Sequence, residues 1–136
     1  MNKTKPQPVN ATQVKQFLAD ARRRVVAAKR NLAIDAETGY QVAYEAMIKG
    51  SLALMLSHGQ RPRKQLGHHM VIIDFAKDNL PRAPAGTFAL FDRMRRKRNQ
   101  AFYGIAVISD TEAQEAVATA ESFLRLLADD IKTRLP

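Results

Sequence analysis

The residues best suited to chemistry lie in a basic segment of a predicted helix. Five of the six residues from position 93 to 98 are positively charged: Arg93, Arg95, Arg96, Lys97 and Arg98. The first four spread around the helix axis, which is typical of a solvated face. The simplest interpretation is that these charges only keep the protein soluble. The alternative is that they contact a polyanion.

Arg98 differs from its neighbours because it falls on the apolar side of the same helix. With about 100° of rotation per residue, one apolar stripe is formed by Phe91, Met94, Ala101, Phe102 and Ile105. Arg98 lies within that stripe, where an unpaired charge is costly. We therefore expect Arg98 to meet a bound phosphate, an opening to solvent, or an ion-pair partner on another helix or a second copy.

Two polar side chains accompany this arginine. Asn99 and Tyr103 lie on the neighbouring face with Asp92 and Arg96. Each alone has a simple structural explanation, since Asn occurs in helices and Tyr often packs at interfaces. Together with Arg98 they form a candidate site at which several groups can converge on one ligand.

The overall charge favours a polyanionic partner. The chain has 22 Lys and Arg against 13 Asp and Glu, a net charge of +9. The excess lies before position 110, where 19 basic residues face 7 acidic ones, whereas residues 110–136 hold 3 basic and 6 acidic ones. Such a charge suits RNA or an acidic protein, because phosphate contacts release counterions.

Composition excludes several classes of function. The absence of cysteine rules out disulfides, thiolate catalysis and cysteine-ligated metals. No glycine-rich phosphate loop is present, and we expect neither a metal ion nor an organic cofactor. The longest uncharged apolar stretch, Gly50 to Ser57, is far too short to span a membrane, so we expect a soluble cytoplasmic protein.

Apolar periodicity predicts helices through most of the chain. We expect a flexible basic arm over residues 1–9 and one domain over 10–136. Helices are predicted from about residue 10 or 12 to before Gly39, and over 40–58, 68–80, 87–104 and 109–135. Thr87 is the expected cap of the fourth helix, and Ser109 with Glu112 forms the capping box of the fifth.

No strand pattern is evident, and residues 59–67, GQRPRKQLG, are expected to form a basic loop. Short connections between long helices favour antiparallel neighbours. The predicted fold is therefore an all-α, up-and-down antiparallel bundle of four main helices plus one short helix, with the second helix the most buried.

The segment RMRRKRNQAFYG resembles the signature helix of the HEPN superfamily, the higher-eukaryote and prokaryote nucleotide-binding helical bundles. Their motif is an Arg, usually followed by a polar residue, and a His after four to six intervening positions. Arg98 and Asn99 match the first part. YQVAYEAMIKGSLALMLSHG and HHMVIIDFAKDNL also resemble the family's second and following helices, so the likeness covers roughly residues 12–134.

The resemblance implies a catalytic site of Arg98, Asn99 and Tyr103, in which Arg98 stabilises phosphate charge and Asn99 has a positioning role. Many HEPN proteins are dimeric, metal-independent endoribonucleases, and toxins are often paired with a nucleotidyltransferase antitoxin. Tyr103 occupies the position of the motif His. Because a phenol is largely protonated at neutral pH, it is a poor replacement for that base.

Three explanations of this departure remain open: activation of Tyr103 by Arg96, a histidine supplied by His68 or His69, or loss of the chemistry. Two functions follow. The first is a homodimeric RNA-associated protein, an atypical endoribonuclease toxin of a toxin–antitoxin or defence module, with RNA contacts from Arg93, Arg95, Arg96 and Lys97. The alternative is a non-catalytic HEPN interaction module that binds an acidic partner such as a nucleotidyltransferase-type antitoxin.

Overall fold

The computed structural model describes residues 3–63 and 68–135. Within these ranges the elements are β1 (Thr4–Pro6), α1 (Ala11–Asn31), α2 (Ala36–Ser57), β2 (Gln60–Pro62), α3 (His68–Asn79), α4 (Thr87–Phe102) and α5 (Asp110–Lys132). They form an all-α, up-and-down bundle of four long helices and one short one, as predicted. No described helix is both long and apolar enough to cross a membrane.

The bundle is organised around α2, which packs against each of the other four helices. As predicted, it is the most buried helix, and its inward residues Tyr44, Met47 and Leu54 have no exposed surface. Gly50 lets α5 approach closely, because a Cβ atom at that position would lie 2.8 Å from the Leu127 side chain. The core therefore fixes α2 as the frame on which α3 and α4 are placed.

The predicted start of the second helix at residue 40 is too late, because α2 begins at Ala36 and Gly39 lies inside it. α1 ends eight residues earlier, at Asn31. A Cβ atom at position 39 would lie 3.2 Å from the carbonyl oxygen of Ala28 and 3.2 Å from the Leu32 side chain. The glycine therefore serves the close approach of α1 and α2 rather than the end of a helix.

Thr87 does not cap α4 as predicted but is its first residue. The N-cap is Gly86, with a φ of 88° and no side-chain hydrogen bond. At the start of α5, in contrast, the predicted capping box is present: the Ser109 hydroxyl accepts from the Glu112 N–H at 3.1 Å, and Glu112 accepts from the Ser109 N–H at 3.1 Å. The buried face of α5 extends from Ala113 to Ile131.

A short two-stranded ribbon corrects the expectation that the chain contains no strand. β1 and β2 pair antiparallel, with Lys5 opposite Arg61. The ribbon ties part of the expected arm to part of the expected basic loop, and residues 64–67 of that loop lie outside the described residues. Three residues per strand, with prolines at two strand ends, are too few to give a readable alternation.

The apolar stripe of α4 is buried only in part. Phe91, Met94 and Ala101 lie in the core, but Phe102 is 74% exposed and Ile105, beyond the end of the helix, is 75% exposed. The stripe is therefore buried at its N-terminal end and open at its C-terminal end. The helix ends at Phe102, and no described element covers the side chains that follow.

Candidate functional site

Arg98 lies half-buried against Tyr44 of α2. Its guanidinium carbon is 5.4 Å from the centre of the Tyr44 ring, a cation–π distance. The Nε atom is buried without a hydrogen-bond partner. Among the ion pairs of the described residues none involves Arg98, so the expected buried ion pair within the chain is not seen there.

The four neighbouring basic residues each lie beside a carboxylate. Arg95 and Arg96 share Asp92, at 3.1 and 3.0 Å. Lys97 pairs with Glu112 of α5, and Arg93 lies 4.0 Å from Glu115, which is also on α5. Their charge is thus partly balanced within the protein, whereas that of Arg98 is not balanced by any described carboxylate.

Tyr44 joins Arg98 to a histidine on a third helix. Its hydroxyl oxygen lies 2.8 Å from Nδ1 of His69, in the first turn of α3. The Tyr44 and His69 rings are 5.7 Å apart and tilted by 49°, and Phe91 supports the Tyr44 ring edge-on at 5.8 Å. Burial raises the pKa of Tyr44 far above its ordinary value, so the phenol stays protonated.

His69 is half-buried and its pKa is lowered. Burial is the largest cause, and the nearby charges of Arg98, His68 and Arg95 act in the same direction. The imidazole is therefore neutral at pH 7. α2, α3 and α4 thus bring together a neutral histidine, a protonated phenol and an unpaired guanidinium, which we name the Arg98 cluster: Arg98, Tyr44 and His69.

Asn99 and Tyr103 are exposed and lie outside these contacts. Tyr103 follows the last residue of α4 and is 75% exposed; its ring meets that of Phe102 at 5.1 Å. No side-chain hydrogen bond or ring contact of the described residues joins Tyr103 or Asn99 to Arg98. Helical periodicity distinguishes Arg98 from its neighbours, and His69 is one of two histidines considered as the source of the missing base. Nothing in the sequence indicates a polar role for Tyr44.

The chain leaves α4 through a glycine turn that exposes apolar side chains. Gly104 has a φ of 72°, and the Ile105 and Gly104 N–H groups donate to the carbonyl oxygens of Gln100 and Ala101 at 2.8 and 3.0 Å, as in a Schellman motif. Phe102, Ile105 and Val107 are 74, 75 and 87% exposed. We name these three residues the apolar patch.

The family comparison agrees with this helical arrangement. The model of the HEPN domain matches residues 14–131, which take in the core of the bundle and the whole Arg98 cluster. In a comparison with curated proteins, no match is found. The matched segment extends from α1 to near the end of α5, and the chain therefore belongs to the HEPN family.

Proposed function

We propose that this HEPN protein binds RNA at the Arg98 cluster and cleaves it as a metal-independent endoribonuclease. The observation that carries the proposal is the guanidinium of Arg98, which is half-buried and lacks a partner among the described carboxylates. A charge in such surroundings is stabilised by an anion. An RNA phosphate supplies one, and a guanidinium can donate two parallel hydrogen bonds to it.

The surroundings of Arg98 support a selective phosphate contact. Because Arg93, Arg95, Arg96 and Lys97 lie beside carboxylates, a phosphate must compete with internal partners at these positions. Arg93 and Arg96 are the more exposed of the four, at 58% and 60% of the side chain. In this proposal they attract the RNA backbone over a distance, whereas Arg98 holds one phosphate.

The exposed polar residues of α4 complete the proposed binding surface. Asn99 follows Arg98 directly and Tyr103 lies about one turn further on, both open to solvent. We assign Asn99 a positioning role toward the sugar or phosphate. We assign Tyr103 hydrogen-bond donation or base stacking, which the exposed phenol ring permits.

The chemistry proposed is attack of an RNA 2′-oxygen on its adjacent phosphorus. Negative charge on the phosphate oxygens grows in the transition state, and Arg98 is placed to offset it. The products are a 2′,3′-cyclic phosphate and a free 5′-hydroxyl. No metal ion takes part in this scheme.

We further propose that the active form is a homodimer. The apolar patch lies close along the chain to Arg98, and exposed clusters of this kind mark interaction surfaces. A twofold arrangement in which the patch meets itself brings two Arg98 clusters toward one groove. The two guanidinium groups then repel unless an anion lies between them, which again favours a phosphate.

The test of RNA binding compares Arg98→Ala with Arg125→Ala. Arg125 is an exposed arginine on α5, so its loss removes the same charge at a distance from the cluster. Loss of a charge-assisted contact is worth about 1.5–3 kcal/mol, so we expect Arg98→Ala to weaken RNA binding by roughly tenfold or more. For Arg98→Ala, the slope of log K against log salt concentration should become shallower by the amount expected for about one phosphate contact.

The test of cleavage uses end-labelled RNA in EDTA, which silences contaminating metal-dependent nucleases. The wild-type protein should leave 2′,3′-cyclic phosphate ends, and Arg98→Ala should not. If both proteins are folded and neither cleaves, the ribonuclease proposal is wrong.

A second candidate is a non-catalytic module that binds an acidic partner protein, such as a nucleotidyltransferase-type antitoxin. The observation that favours it is the exposed tyrosine at position 103, where the family motif has a histidine. Recovery of an acidic protein with the tagged chain from its host, together with salt-sensitive binding and no RNA cleavage, would support this function. A toxin role would further require that expression of the chain alone arrests growth and that the partner relieves the arrest.

A further inference from the structure

A histidine on α3 and the unpaired arginine on α4 are joined through one buried tyrosine. His69 and Arg98 contact the same side chain from different helices: Tyr44 Oη lies 2.8 Å from His69 Nδ1, and its ring lies 5.4 Å from the Arg98 guanidinium carbon. Position 103, in contrast, lies at the exposed end of α4. Through Tyr44, Arg98 is therefore linked to an imidazole that comes from another helix.

We propose that His69 is the catalytic base and acid of this protein and that Tyr44 is the residue that positions it. The inference rests on the proposed ribonuclease function and assigns its proton transfer to a side chain outside α4. Tyr44 is fully buried, so it acts on His69 rather than on RNA. His69 is only half-buried and can meet the substrate.

The hydrogen bond to Tyr44 involves Nδ1 of His69, and the proposed catalysis uses the tautomer in which that nitrogen carries the proton. When Nδ1 carries the proton, it donates to Tyr44 Oη, and Nε2 keeps its lone pair. That nitrogen is then the base. The buried phenol resists ionisation, so it holds the imidazole without taking its proton.

The charges around His69 favour its neutral form in the free protein. His69 faces Tyr44 on α2, Arg98 and Arg95 on α4, and His68 on its own helix. Burial is the largest cause of its lowered pKa, and Arg98, His68 and Arg95 act in the same direction. A bound phosphate offsets the charge of Arg98. Substrate binding therefore makes the imidazolium easier to form at the moment when the reaction requires it.

The step balances with one imidazole. His69 Nε2 accepts the proton of the 2′-hydroxyl while the 2′-oxygen bonds to phosphorus. The bond from phosphorus to the 5′-oxygen then breaks, and the imidazolium donates that proton to the leaving oxygen. Arg98 offsets the phosphate charge throughout, and neither water nor an oxidant is consumed.

The experiment measures single-turnover cleavage of end-labelled RNA in EDTA, together with RNA affinity by filter binding, for the full-length protein. The variants are His69→Gln, the matched control His68→Gln and the rival candidate Tyr103→Phe. General acid–base groups contribute about 10²- to 10⁴-fold, so we expect His69→Gln to lose at least a hundredfold in rate while its RNA affinity changes less than threefold. His68→Gln should retain cleavage within a few fold, and the loss of rate with Tyr103→Phe should be much smaller than that with His69→Gln.

Tyr44→Phe keeps the buried ring and removes only the hydroxyl. Because Nδ1 of the imidazolium then lacks its acceptor, the acid limb of the pH–rate profile should move to lower pH. If Tyr44 had only a structural role, Tyr44→Phe would lower the melting temperature and leave the acid limb of the pH–rate profile in place. His69→Ala should regain part of its rate with added imidazole, whereas Arg98→Ala should not.

The outcomes separate this inference from the proposed function. Cleavage by His69→Gln at the wild-type rate overturns the role of His69 and leaves the ribonuclease proposal standing. A loss with Tyr103→Phe but not with His69→Gln assigns proton transfer to α4 instead. Absence of cleavage by the folded wild-type protein overturns both proposals.

Discussion

Five neighbouring basic residues of α4 differ in what their charges face. Arg93, Arg95, Arg96 and Lys97 have carboxylates beside them, whereas Arg98 faces the ring of Tyr44. Sequence alone separated Arg98 from the others, because helical periodicity gives the side on which a residue falls. What periodicity does not give is the neighbour on another helix. Tyr44 and His69 lie far from Arg98 in sequence, and only the packing of α2, α3 and α4 brings them together.

A pH effect on stability is expected at the residue scale. Burial lowers the pKa of His69 and of His58 in the folded protein. As pH falls below the unfolded value near 6.5, the unfolded chain binds protons before the folded one, so the free energy of unfolding decreases. It should be highest above about pH 7 and decline toward pH 5.

Urea denaturation between pH 7.5 and 5 measures this effect. His69→Gln should make the decline shallower because one of the two half-buried histidines no longer titrates. Gln114→Ala is the control and should keep the wild-type slope, because it changes only an exposed, uncharged side chain of α5. Identical slopes for wild type and His69→Gln would mean that His69 is not the group responsible.

The helices themselves were largely predictable from sequence because each long element carries a sustained apolar period. The predicted bounds of α3 agree with the structure within one residue. Errors arose where a residue type has two physical uses. A glycine can end a helix or let two helices approach, and Gly39 does the second. A threonine can cap a helix, but at α4 the cap is Gly86 and Thr87 is the first helical residue.

At the scale of elements, the contact between α2 and α5 depends on Gly50. Its missing Cβ leaves room for Leu127 and Leu124, which would lie 2.8 and 3.1 Å from that atom. We expect Gly50→Val to destabilise the protein by about 1–3 kcal/mol, the usual cost of overpacking a core. The midpoint of urea denaturation measures the change.

Ala118→Val provides the control, because it adds the same branched side chain to an exposed position of α5. Its effect should stay within about 0.5 kcal/mol, as for most surface substitutions. A Gly50→Val protein as stable as wild type would show that Leu127 moves aside without cost.

At the scale of the whole molecule, the apolar patch predicts self-association. A carboxylate placed in an apolar interface is costly, so Ile105→Asp combined with Val107→Asp should convert the proposed dimer to a monomer. Sedimentation equilibrium at micromolar concentration gives the mass directly. The same variant should lose RNA cleavage if two Arg98 clusters act together.

Val9→Asp is the matched control. Val9 is an exposed apolar residue as well, at 51%, and lies beside Gly59, just after the C-terminal end of α2. It should remain dimeric. A wild-type protein that is monomeric at these concentrations would remove the basis for a twofold site.

The ribbon of β1 and β2 closes a loop of chain that contains both α1 and α2. Its hydrogen bonds, including Gln7 N–H to the Gly59 carbonyl at 2.9 Å and Arg63 N–H to the Lys3 carbonyl at 3.2 Å, join residues far apart in sequence. Such contacts form late in folding, because the intervening helices must pack first. We therefore expect these two amides to exchange with deuterium sooner than those inside α2.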